Sequence, residues 1–260
     1  MFTPPQFVAV GPFTIYFYSL FILLGVVLGL LLARPEGRRF KISGEELLLS
    51  IFWAVIPGFV GARLYHVIDQ WSLYAGDPAS ALAVWSGGLG ILGGLAGGLL
   101  GLWIFWRRYL KSGRAKLPFL RLLDIYVPSV LLAQAIGRFG NWTNQEAFGQ
   151  PTGAPWGIFI APEHRPEQYL GFERFHPTFF YEAAFDFAGL ALLLLLRPRL
   201  RARPGAVLGA YLVIYGLGRF LVEFFRFDTA QLGGIAAAHI IATGLVIGGI
   251  WLMVRKSHSA

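Results

Sequence analysis

The chain has 260 residues, 56% hydrophobic and only 14% charged, whereas a water-soluble domain carries about 25% charged residues. Too few polar side chains remain to coat a soluble surface, and the high hydrophobicity excludes disorder. An integral membrane protein is left, with a net charge of +8 and no cysteine, so disulfides and a cysteine nucleophile are excluded too.

A helix crosses the hydrocarbon in about 20 mainly apolar residues. Seven stretches fit, roughly Phe13–Ala33, Glu46–Ile68, Gly87–Trp106, Leu120–Gly137, Thr178–Leu196, Ala206–Phe224 and Gly233–Val254. They predict an all-α integral membrane fold, a seven-transmembrane-helix bundle forming a single membrane domain over residues 1–260. The glycine-rich 87–101 stretch reads as a small-residue face that lets membrane helices approach closely.

The basic residues orient this frame. Sixteen of the 22 follow spans one, three, five and seven: Arg34, Arg38, Arg39 and Lys41; Arg107, Arg108, Lys111, Arg114, Lys116 and Arg121; Arg197, Arg199, Arg201 and Arg203; Arg255 and Lys256. Basic loops stay cytoplasmic. The N-terminus is therefore expected outside and the C-terminus inside, with an irregular outward-facing head segment at about 138–177. The basic balance thus reports topology, not nucleic-acid binding.

The six remaining cations are all arginine. Arg165 and Arg174 are expected on the solvated head. Arg63, Arg138, Arg219 and Arg226 sit in or at the ends of spans, where an ionised group costs about 2.5–3.5 kcal/mol and usually lines a polar cavity. Around Arg138 the chain reads GRFGNWTNQEAFGQPT (137–152), placing Asn141, Asn144, Gln145 and Glu146 at a span end. Around Arg219 it reads YGLGRFLVEFFRFD (215–228). Arg219, Glu223 and Arg226, spaced i, i+4, i+7, are expected on one helical face with Glu223 bridging both guanidiniums. A third motif, HPTFFYE (176–182), opens span five with His176 and places Glu182 one turn in. Arginine forks bind phosphate at two points and stay protonated. Two such clusters make an anion pocket, and the anion at that depth is a phospholipid head group.

These motifs resemble the signatures of the phosphatidylglycerol–prolipoprotein diacylglyceryl transferases, bacterial inner-membrane enzymes that begin lipoprotein maturation. The likeness extends to GARLYHVI (61–68), WSGGLGILGGLAGG (85–98) and Tyr16/Tyr18. It implies a multi-pass enzyme of the bacterial cytoplasmic (inner) membrane that uses no metal or cofactor. Its partners would be phosphatidylglycerol and prolipoprotein signal peptides with a lipobox cysteine. The diacylglyceryl group moves to that cysteine's thiol, and glycerol phosphate leaves. On this reading Arg138 and Arg219 neutralise the leaving phosphate. Asn141, Asn144 and Glu146 position the glycerol head, Glu223 and Arg226 support the arginines, and Tyr18 and Tyr215 donate hydroxyls. Arg63 and His176 complete the substrate-binding set.

One position departs from the pattern. Many members carry a histidine, discussed as the proton acceptor, where this chain has Leu92. His66 and His239 stand in other spans, and His66 is the candidate catalytic base. A base-free route, in which nearby arginines hold the substrate thiol as thiolate, is preferred. The alternatives are a phospholipid-binding transporter and a catalytically altered family member.

Overall fold

The computed structural model describes residues 3–84, 87–111 and 116–255. Arg114 and Lys256, two of the sixteen basic residues from which the orientation was expected, lie outside them, as do Trp85 and Ser86 of the glycine-rich motif. The chain divides into two units, Met1–Ala33 with Leu123–Ala260, and Arg34–Leu122.

The first unit opens with a hairpin of β1 (Phe7–Val10) and β2 (Phe13–Tyr16), in which Phe7 pairs with Tyr16. Helix α1 follows (Phe17–Arg39), so the first four residues of the first expected span are strand. Helices α4 (Phe119–Asn144), α5 (Thr178–Leu200) and α6 (Ala206–Glu223) share a buried core of Val127, Leu131, Leu193, Val207, Ala210 and Ile214. Helix α7 (Ala237–Val254) packs on α6. In lipid no hydrophobic gain drives helices together, so close van der Waals approach must do it. Gly209 and Gly249 supply that approach, because a Cβ on either would lie 2.5 Å from the other's carbonyl oxygen. Likewise Ser129 Oγ on α4 donates to the Gly29 carbonyl of α1 at 2.6 Å. The Asp124 carboxylate accepts from the Gly205 and Leu208 amides at 2.8 and 2.9 Å, occupying donors that the start of α6 leaves without helical partners.

Helix α4 runs seven residues past Gly137, the expected end of its span. Nothing in GRFGNWTN breaks a helix, and its amides find partners within the protein, so Arg138, Asn141 and Asn144 ride on α4. The irregular head begins only at Gln145. It contains β3 (Ile158–Phe159) paired antiparallel with β4 (Arg174–Phe175), over a core of Phe148, Ile160, Phe175 and Phe179. Before α7, β5 (Gln231–Leu232) and β6 (Ile235–Ala236) form a hairpin turned by Gly233 and Gly234 at φ 58° and 82°.

The second unit holds α2 (Gly44–Asp69) and α3 (Ile91–Phe105). Ser43 and Glu46 form a capping box at the start of α2. Gly58 and Gly61 face the glycines of α3 so closely that a Cβ on Gly61 would collide with the Gly93 carbonyl oxygen. Helix α3 starts four residues later than expected, because Gly87 and Gly88 adopt left-handed φ values of 85° and 75°. It has 15 residues and passes into a single π-helical stretch, Trp106–Leu110. Among the described residues six helices are long and apolar enough to cross a membrane: α1, α2, α4, α5, α6 and α7. The protein is a multi-pass, essentially helical membrane protein.

Candidate functional site

In the first unit the ends of α4, α5 and α6 converge on one carboxylate. Glu182, one turn into α5, pairs through Oε2 with Arg138 of α4. Its Oε1 lies 3.6 Å from Arg219 and 3.5 Å from Arg226. Glu182 is 7% exposed and Glu223 4%. Charges this deeply withdrawn from water persist only when paired.

The bridging carboxylate is therefore Glu182, not Glu223. Glu223 meets Arg219 at 2.6 Å, as the i, i+4 spacing requires, and accepts a hydrogen bond from Thr229 Oγ1 at 2.5 Å. The i, i+7 extension to Arg226 fails because α6 ends at Glu223 and the chain turns, with the Phe225 and Arg226 amides donating to Val222 and Glu223 carbonyls. Arg226 thus leaves the helical face and pairs in two-point geometry with Asp228, at 3.0 and 2.8 Å.

A chain of amides runs along α4. Arg138 donates to Asn141 Oδ1 at 3.3 Å, and Asn141 and Asn144 both donate to Glu146 Oε1, at 3.0 and 3.3 Å. Glu146 reaches them because Gln145 and Ala147 on either side take φ of 52° and 55°. Such strain in non-glycine residues persists only where surroundings enforce it. Here the buried Gln145 side chain accepts the Ala161 amide at 2.7 Å, and Thr178 Oγ1 donates to the Ala147 carbonyl at 2.7 Å. Gly149 closes the joint, since a Cβ there would strike the Phe225 carbonyl oxygen. The three polar motifs are tied by backbone: Gly149 donates to His176, His176 to Gln150, and Gln150 to Phe225.

Among the described residues the His176 ring bonds to Tyr181 and to none of the arginines. Its Nδ1 lies 3.0 Å from the Tyr181 hydroxyl, which also accepts from Trp156 Nε1 at 2.7 Å. Burial holds its pKa below the usual imidazole value. Tyr18 lies edge-on to α4 where a Cβ on Gly140 would sit 2.5 Å from its ring. Tyr215 and Arg219 line two cavities. One, of about 310 Å³, is also bordered by Glu223, Arg226, Asp228 and Thr229. The other, of about 10 Å³, is shared with Glu182 and Asp186.

Asp186 escaped the motif reading. It is 5% exposed, one turn beyond Glu182 on α5, and makes no side-chain hydrogen bond or ion pair with a described residue. The rule that singled out the span arginines applies equally to it: an acid in an apolar helix marks a polar site. Among the described residues no three His, Asp or Glu side chains converge as a metal site requires.

Arg63 and His66 belong to the second unit. All five guanidinium donors of Arg63 are spent on backbone carbonyls: Nε on Ala81 at 2.8 Å, Nη1 on Gly87 and Gly88 at 2.6 and 3.1 Å, Nη2 on Ser80 and Ala83 at 3.1 and 3.3 Å. His66 stands edge-on to Tyr74, with centroids 6.1 Å apart, and abuts Gly88. Leu92 is exposed on the first turn of α3. In the first unit His239 Nε2 is 3.2 Å from the Phe220 carbonyl oxygen, which makes it a donor there, between the Phe220 and Phe224 rings.

The family model for prolipoprotein diacylglyceryl transferase matches residues 5–255. A phosphatidylglycerol–prolipoprotein diacylglyceryl transferase of Nostoc sp. is 40% identical over 97% of this chain and 90% of its own length. Relatives of the same name from Gloeobacter violaceus and Halalkalibacterium halodurans are 38% and 36% identical, covering 97% and 95% of this chain and 94% and 84% of their own. Likeness of this extent reaches every element of the arginine site, and the chain belongs to the prolipoprotein diacylglyceryl transferase family.

Proposed function

We propose that the chain transfers the diacylglyceryl group of phosphatidylglycerol to the thiol of a prolipoprotein's lipobox cysteine, the first step of lipoprotein maturation. The observation that carries this reading is the convergence of Arg138, Arg219 and Arg226 on one buried carboxylate, with Arg219 and Arg226 also bordering a cavity of about 310 Å³. A phosphodiester presents the same two-oxygen edge as that carboxylate, and guanidinium forks match it.

In this mechanism the substrate thiolate attacks the glyceryl carbon bearing the phosphate. The carbon–oxygen bond breaks, and glycerol phosphate leaves with its charge held by Arg138 and Arg219. Fixed donors aimed at developing charge supply the main electrostatic gain. Asn141, Asn144 and Glu146 seat the glycerol hydroxyls and hold the Arg138 fork. Tyr18 and Tyr215 donate to the head group, while Glu223 and Arg226 brace Arg219. His176 is a positioning residue that orders the start of α5 through Tyr181, and Arg63 holds the carbonyls of Ser80, Ala81, Ala83, Gly87 and Gly88. His66 is the rival proton acceptor. The enzyme sits in the bacterial inner membrane with seven spans, counting α3, its N-terminus outside and its C-terminus cytoplasmic.

Purified protein incubated with phosphatidylglycerol and a peptide containing a lipobox cysteine should give a peptide heavier by one diacylglyceryl group. Unmodified peptide, with the lipid bound but intact, would place the chain among lipid binders.

A further inference from the structure

Leu92 cannot take a proton, so a proton released by the substrate thiol needs another destination if a protein group accepts it. The structure shows where charge would build up. Arg138, Arg219 and Arg226 already face three carboxylates, Glu182, Glu223 and Asp228, with the buried Asp186 one turn deeper and Tyr215 alongside. Among the described residues these are the charged and titratable groups that α4, α5, α6 and the turn after α6 gather around the three arginines. The positive charge is fully matched before any lipid arrives. A bound phosphodiester adds an uncompensated negative charge in a poorly solvated site.

The seat it would take is also occupied. Glu182 Oε2 holds Arg138, and Oε1 faces Arg219 and Arg226. A phosphate that engages Arg138 and Arg219 must displace Glu182 from at least one fork. The displaced carboxylate then lies beside a new anion, and like charge favours the protonated form of a carboxylic acid. The arriving phosphate thus strengthens the hold of Glu182 on a proton, and the substrate thiol is the group that can supply one.

Resting on the function proposed above, we infer that Glu182 is the phosphate's placeholder in the empty enzyme and the acceptor of the substrate thiol's proton in the loaded one. The S–H bond breaks with its proton passing to a Glu182 oxygen. The sulfur–carbon bond forms, and the glyceryl carbon–oxygen bond breaks with its electron pair on the phosphate. Departure of glycerol phosphate returns the arginines to Glu182, which releases the proton. Lipid binding and thiol activation are thereby coupled, so no strong base stands idle in the empty site.

The test uses phosphatidylglycerol and two lipobox peptides, one with cysteine and one with selenocysteine, whose selenol is already ionised at neutral pH. Loss of a general base costs typically 10²–10⁴-fold, so Glu182→Gln should slow transfer to the cysteine peptide by about 100-fold or more. Transfer to the selenocysteine peptide should stay within about tenfold of the unsubstituted enzyme by the same measure. The half-saturating phosphatidylglycerol concentration should not rise, because a competitor for the arginines has been removed. Glu182→Asp, which keeps an acceptor, should outperform Glu182→Gln on the cysteine peptide.

Equal losses on both peptides would mean that Glu182 only arranges the arginines, and would overturn the inference. So would retained cysteine transfer in Glu182→Gln, weakened lipid use, or an aspartate variant no better than glutamine. A selenocysteine-rescued loss in His66→Phe and not in Glu182→Gln would give the role to His66. Arg219→Gln separates the two levels. It should fail on both peptides, and full activity there would remove the phosphate clamp itself, whatever Glu182 does.

Discussion

Two arginine environments in this protein differ in what satisfies the charge. Arg63 in the second unit is held by five backbone carbonyls and faces the Tyr74 ring at 5.3 Å. The cluster in the first unit, Arg138, Arg219 and Arg226, is held by carboxylates. Carbonyls belong to the loop that Arg63 organises, and no incoming ligand can stand in for five of them at once. A carboxylate is one small anion on a rotatable side chain, and another anion of similar shape can take its place. The first arrangement makes a scaffold and the second an exchangeable site, although both begin as an arginine in an apolar span.

The largest expected effect tests the exchangeable site. Removing one preorganised donor of developing charge costs about 10²–10³-fold in rate, so Arg219→Gln should lower transfer by about 10³-fold and Arg219→Lys, which keeps charge but loses the fork, by about 10²-fold. Both should insert and fold, as size-exclusion profiles in detergent would show. Near-normal transfer by the lysine variant would mean that charge alone suffices.

Arg63→Gln should show the opposite split. Leaving buried carbonyls without donors costs about 1–3 kcal/mol for each group that water cannot reach. The variant should lose several degrees of thermal stability while the folded fraction keeps its turnover within about threefold, since surface and scaffold losses leave catalytic groups in place. A large fall in turnover without loss of stability would move Arg63 into the reaction.

A steric change sharpens the same contrast. Gly61→Ala forces a Cβ into the Gly93 carbonyl oxygen, and overpacking of this kind costs about 1–3 kcal/mol. Thermal unfolding in detergent should shift down with no change in the lipid concentration needed for half-maximal transfer.

The smallest effect concerns His176. Burial lowers its pKa, so the folded protein favours neutral imidazole. Its contribution to stability is fully present above the ordinary imidazole value and is lost as pH falls toward the lowered one. The unsubstituted protein should therefore lose a little thermal stability on mild acidification, and His176→Gln should flatten that slope. An unchanged slope would show that other groups set it.

Much of the arginine cluster was legible in the sequence. Arg138 and Arg219 announced themselves because an ionised side chain in an apolar run needs a reason, and Glu223 pairs with Arg219 because helix spacing puts i and i+4 together. Glu182 was visible in HPTFFYE, but nothing local reveals that three arginines from different segments point at it. Arg226 was misplaced for a local reason: its helix stops three residues earlier. Arg63's role was hidden because its partners are carbonyls, which every residue carries and no sequence marks. The late start of α3 was equally hidden, since Gly87 and Gly88 are as acceptable in a helix start as in the left-handed turn they form.

By itself the sequence determined that this is a membrane protein, which stretches are apolar enough to span, and which arginines are too costly to be incidental. Those properties follow from composition and short-range periodicity, and each is decided within a few turns of chain. Only the tertiary structure decided which charge meets which. Pairing depends on where α4, α5 and α6 end relative to one another, and that is set by glycine contacts, strained residues at 145 and 147, and backbone bonds across more than 70 positions. The sequence marked the charges, and the fold made Glu182 their meeting point.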